Sequence, residues 1–159
     1  MIVGGKLKTK RFDRMFDWES QIRAQVREGD VEGALASLRN ALRKNPQDAC
    51  FRFLQGVLRH SVGMAHEALN DLEGALFWAK DKDLRARITD AIVSIENEQL
   101  ELMRLLLSED KRFRMEFAID PVAAAEKRGF RFRPVTQKAL FQILGDFSGL
   151  QGCDQPGSC

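Results

Sequence analysis

Two stretches of the chain align without a gap at an offset of 34 residues: GDVEGALASLRNALRKNP from Gly29 and GMAHEALNDLEGALFWAK from Gly63. Gly29 falls on Gly63, Ala34 on Ala68, Leu35 on Leu69, Leu38 on Leu72, Ala41 on Ala75 and Leu42 on Leu76. The matched positions recur by threes and fours, so each copy predicts an amphipathic helix with a glycine in the turn before it. A period of this length means stacked units, none of which buries its apolar face alone.

Each copy is preceded by a segment fit to be its partner helix, WESQIRAQVRE from Trp18 and ACFRFLQGVLRH from Ala49. This layout resembles the tetratricopeptide repeat, whose pattern places Trp, Leu-Gly, Tyr, Ala, Phe and Pro in a helix–turn–helix. The first copy supplies Trp18, Ala34, Leu38, Ala41 and Pro46, with Gln21-Ile22 for Leu-Gly and Gln25 for Tyr. The second supplies Gly56, Ala68, Leu72 and Ala75, with Arg52 for Trp, Arg59 for Tyr and Lys80 for Pro. The next segment carries Ile88, Ile92, Ile95, Leu102 and Leu106, with Gln99 in the one gap and Leu100, Met103 and Leu107 widening the stripe. It predicts one long helix, either capping the repeats or forming a coiled-coil seam.

The stretch SEDKRFRMEFAIDPVAAAEKRGFRFRP, from Ser108, reads as a separate helical unit. Ser108 is the expected N-cap, and Phe113 and Phe117 share a face. Asp120-Pro121 restarts a helix as N-cap and first helical residue, and Gly129 ends it. Phe130 and Phe132 are expected to fold back onto Phe113 and Phe117. A last helix is predicted from Thr136 to Gly145. The expected organisation is therefore all-α. It comprises a flexible 1–14, two repeats with a capping helix over 15–107, a small helical unit over 108–145, and a flexible tail over 146–159.

Residues 106–133 also resemble leader regions of bacterial precursors of ribosomally made, modified peptides, the group related to nitrile hydratase α subunits. The residues that carry the resemblance are Ser108, Asp110, Phe113-Arg114, Phe117, Asp120-Pro121, Ala123 to Ala125 and Gly129-Phe130. It implies that a peptide-modifying enzyme grips this stretch and works on a C-terminal core, where Cys153 and Cys159 would be the reactive residues. Without the resemblance, those two thiols enclose a turn-rich DQPGS and could close a disulfide, bind a soft metal weakly or stay reduced.

With 25 basic and 23 acidic residues, the chain has no global charge to draw it to nucleic acid. The basic run from Lys111 to Arg133 is interleaved with phenylalanines, but their spacing suits a core better than base stacking. No apolar run is long enough to span a bilayer and the start lacks the apolar region of a secretory signal, so the cytoplasm is the expected compartment. His60 and His66 do not share a helix face, no phosphate loop or nucleophile–base pattern is present, and no metal, cofactor or catalytic group is expected. Cys50, in a phenylalanine-rich segment, is expected as a small buried hydrophobe.

What remains is non-catalytic binding of a peptide or partner protein. In the repeat family the first helix of each pair lines a groove. Carried over by register, the groove positions are Glu19, Arg23 and Arg27, then Phe53, Val57 and His60, then Arg87. Three arginines there favour an acidic or carboxylate-ending peptide.

Overall fold

A computed structural model describes residues 9–148, with side chains for 18–147. Among them are eight helices and no strand: α1 (Thr9–Arg27), α2 (Val31–Lys44), α3 (Ala49–Ser61), α4 (Ala65–Trp78), α5 (Lys82–Glu109), α6 (Lys111–Ile119), α7 (Pro121–Lys127) and α8 (Pro134–Ser148). Cys153 and Cys159 lie outside the described residues. The chain forms two compact units that divide inside α5, between Ala91 and Ile92. The sequence had placed that division at Ser108. Met103 and Leu107 of α5 are buried with Phe113 and Phe117, which draws the end of the long helix into the second unit.

In the first unit the 34-residue period is written into the backbone. α2 and α4 begin at Val31 and Ala65, and α1 and α3 end at Arg27 and Ser61. The turns between them are the same turn made twice. Gly29 and Gly63 sit at φ +78° and +81°. The amides that follow them, at Asp30 and Met64, donate back to Gln25 and Arg59 at 2.8 and 2.9 Å. Glycine is needed there because an L side chain resists this handedness. α1 starts at Thr9, inside the stretch expected to be flexible.

The side-chain links repeat as well. Ser37 donates to Gln25 at 2.9 Å, and 34 residues on Arg59 donates to Asp71 at 2.9 Å. A polar bridge from first to second helix thus stands in each pair where the repeat pattern has an aromatic residue. Ile22, Ala34, Leu38, Ala41, Phe51 and Leu58 form a buried core with Trp18 and Leu54 packed against it. Gly56 lets α3 and α4 approach closely, since a Cβ there would lie 2.8 Å from Leu72 Cγ.

In the second unit Phe113, Phe117, Ala124, Ala125, Phe132, Leu140 and Ile143 close around Met103 and Leu107, with Phe130 packed against them. The N-cap of α6 is Asp110, which accepts from the Phe113 amide at 2.9 Å. Ser108 is still inside α5, where its hydroxyl donates to the Leu105 carbonyl at 2.6 Å. Asp120 both ends α6 and caps α7, accepting from the amides of Val122 and Ala123 with Pro121 at the start of the helix. Gly129 follows α7 at φ +84°. α8 begins at Pro134, not Thr136, because the amides of Thr136 and Gln137 already donate to the Arg133 carbonyl, and the Thr136 hydroxyl donates to Glu96 instead of capping a helix. The seam of α5 turns on Met103 and Leu107; Leu102, expected in it, is 56% exposed.

Candidate functional site

α1, α3 and the start of α5 together line a cavity of about 440 Å³. Glu19, Phe53 and Arg87 occupy the same register in the three helices, each 34 residues after the last, and all three face this cavity. Cys50 and Leu84, also 34 apart, form a second such row. The second and third of these helices open on the same kind of cap. Asp48 starts α3 by accepting from the Phe51 amide, and Asp81 starts α5 by accepting from the Leu84 amide. Arg85 ties the α4–α5 turn by donating to the carbonyls of Leu76 and Ala79.

Of the groove positions read from the sequence, Glu19, Arg23, Arg27, Phe53 and Arg87 line the cavity, and Val57 and His60 do not. Val57 is exposed and His60 is half-buried further along α3. Register alone missed the floor: Ile22, Val26, Leu54, Cys50 and Leu84 also line it. The signal for two of these was available, because the alignment that paired Glu19 with Phe53 also pairs Cys50 with Leu84.

The three arginines are not equivalent. Arg23 is ion-paired with Glu19 one turn earlier on the same helix face. Arg87 holds its guanidinium carbon 5.3 Å from the centre of the Phe53 ring, a cation–π contact. Among the described residues, no carboxylate pairs with Arg27 or Arg87. Cys50 is exposed, not buried as expected, because the core face of α3 is Phe51, Gln55 and Leu58. Its thiol is still pushed above the ordinary value, first by desolvation against the cavity wall and then by the Asp48 and Glu19 carboxylates. The cavity therefore offers guanidinium donors, one aromatic face and an aliphatic floor.

The leader-like stretch has a different character. Phe113, Phe117 and Pro121 are buried, Phe130 is half-buried, and the Phe113 and Phe117 rings lie 5.9 Å apart inside the second core. Most of its cations are engaged within the unit. Arg128 pairs with Asp110 at 2.8 Å and lies over the Phe113 ring, and Lys127 pairs with Glu116 at 3.0 Å. Arg114 donates to the carbonyls of Leu107 and Ser108 at the end of α5. The Phe113 amide and then Arg128 hold the Asp110 carboxyl below its ordinary value. A partner gripping Phe113 and Phe117 would first have to open this core.

One site in the second unit escaped the sequence reading. Glu96 is buried, and four donors converge on its carboxylate. The Arg133 amide reaches it at 2.7 Å, the Arg133 guanidinium at 2.8 Å, and the Thr136 hydroxyl at 2.7 Å. The fourth contact is Arg133 Nε, at 3.1 Å from Oε2. One turn on, Gln99 accepts from the Arg131 amide at 2.8 Å. Burial alone would raise the Glu96 carboxyl; the Arg133 and Thr136 donors outweigh it and hold the group below its ordinary value. This arrangement fastens the extended segment between α7 and α8 onto α5 and leaves the carboxylate no free face for a ligand.

Among the described residues no helix is long and apolar enough to cross a membrane. Comparisons with protein-family models, curated proteins and solved structures found no match to this chain.

Proposed function

We propose that the chain is a non-catalytic interaction module, a tetratricopeptide-like scaffold that holds a peptide or a segment of a partner protein in the groove of α1, α3 and the start of α5. The observation that carries this reading is the alignment of Glu19, Phe53 and Arg87 at one register in three successive helices around a single cavity. Repetition builds a continuous concave strip out of equivalent positions, and a strip of that kind suits an elongated occupant. The volume is within the range of ligand-binding clefts and accommodates side chains of a bound segment.

Cys50 supplies the test. Peptides selected on the full chain from an unbiased display library should slow alkylation of Cys50 by iodoacetamide, read by mass spectrometry of the Cys50 fragment. They should also be lost on Cys50→Trp, which fills the cavity from an exposed position. Selected peptides that leave both readouts unchanged would place binding elsewhere and end this reading.

A further inference from the structure

Resting on that groove, the arrangement of its charges identifies the occupant's chemistry. We propose that the groove takes a peptide in which a carboxylate stands beside an aliphatic or aromatic side chain, and that Glu19 sets the strength of binding by competing for Arg23.

Three guanidiniums and one carboxylate line the cavity. The carboxylate, Glu19, is engaged by Arg23, which leaves Arg27 and Arg87 without an acidic partner among the described residues. The contact with Phe53 engages the face of the ring and not a hydrogen-bond acceptor, so it holds Arg87 at the cavity without consuming its N–H donors. A side chain already held against the ring loses less conformational freedom when a carboxylate binds. Ile22, Leu54 and Leu84 provide the apolar floor, and low-dielectric walls strengthen a charge-assisted hydrogen bond made beside them. A purely apolar occupant would cover Arg27 and Arg87 and leave them unpaired, a cost that an acidic neighbour removes. A nucleic-acid phosphate would match the cations but not the aliphatic floor or Glu19.

The test is parallel selection of a random dodecapeptide display library on the full-length wild type, on Glu19→Gln, and on the double variant Arg27→Glu/Arg87→Glu. The proposal expects Asp or Glu next to Leu, Ile, Phe or Met among wild-type binders. On Glu19→Gln the same peptides should bind roughly two- to fivefold more tightly, the range of an exposed ion pair released. On the double reversal they should weaken by at least about tenfold, and selection should turn to basic peptides, which a merely misfolded variant cannot produce. Binders without acidic residues, an unchanged or weaker Glu19→Gln, or displacement by oligouridylate would each overturn the proposal. If those binders still protect Cys50, the groove itself stands and only its chemistry falls. Loss of Cys50 protection by every selected peptide takes down both.

Discussion

In the first unit Asp71 meets Arg59 at 2.9 Å, and in the second Glu96 meets Arg133 at 2.8 Å. The two carboxylates are both buried. Their proton affinities nevertheless move in opposite directions. Desolvation raises Asp71 above its ordinary value, and Arg59, reaching it with one hydrogen bond, only partly offsets this. Glu96 collects backbone, guanidinium and hydroxyl donors together, and they overcome its burial. Each carboxylate has an arginine partner, and the two differ in the number of donors that converge on them. The first unit uses a single link at a repeated position, with Gln25 and Ser37 doing the neutral version of the same task. The second unit concentrates its polar contacts at one place.

That contrast can be broken most forcefully at Glu96. Glu96→Leu removes the carboxylate that the Arg133 guanidinium, the Arg133 amide and the Thr136 hydroxyl share, and breaking a buried pair on one side costs about 3–5 kcal/mol. Hydrogen exchange should rise across 111–148 while α2 to α4 keep their protection; equal loss in both regions would show that the units do not unfold separately. In the first unit the comparable weak point is steric. Gly56→Ala sets a Cβ 2.8 Å from Leu72 Cγ, and overpacking of this kind costs about 1–3 kcal/mol, visible as a lower urea midpoint by Trp18 and Trp78 fluorescence. The smallest effect belongs to Asp71→Asn, which keeps an oxygen to accept from Arg59 and removes the cost of burying the charge, so stability at neutral pH should change by less than about 1.5 kcal/mol.

Acidification sharpens the same comparison, because the signs differ. Glu96 has a lowered folded value, so its contribution is complete above the ordinary glutamate range near pH ~4.3 and is lost as pH falls through the folded value. Asp71 has a raised folded value, so the folded state takes up its proton first, and acidification relieves the cost of burying its charge. Exchange measured from pH 5 downward should show the Glu96→Gln variant losing its acid-dependent term in the second unit. Asp71→Asn should lose a term of opposite sign in the first.

The sequence made the first unit more legible than the second for a physical reason. A repeat states its rule twice, so the ends of α2 and α4, the glycine turns and the row of Glu19, Phe53 and Arg87 follow from register. The local signals Asp120-Pro121 and Gly129 were equally readable, since a cap and a terminator act within a few residues. Glu96 was not. It stands between Ile95 and Asn97 as any solvated charge would, and its partner is 37 residues away, with no periodicity to connect them. Leu102 and Met103 are adjacent, and a stripe that advances by three or four can take either; the helix buries Met103. Cys50 was misplaced because composition alone suggested burial, whereas its position on α3 puts it on the groove side.

The turns at Gly29 and Gly63 also distinguish mirror images. An added Cβ at either position meets no atom within 4 Å, so space is not what excludes a side chain there; chirality is. A synthetic segment ending before Cys50, ligated through that thiol to the rest of the chain, could carry D-alanine at position 29. The D residue is at home at this φ and restricts the unfolded chain, which should stabilise the first unit by about 0.4–1 kcal/mol. L-alanine at the same position should instead destabilise it by about 1–2 kcal/mol.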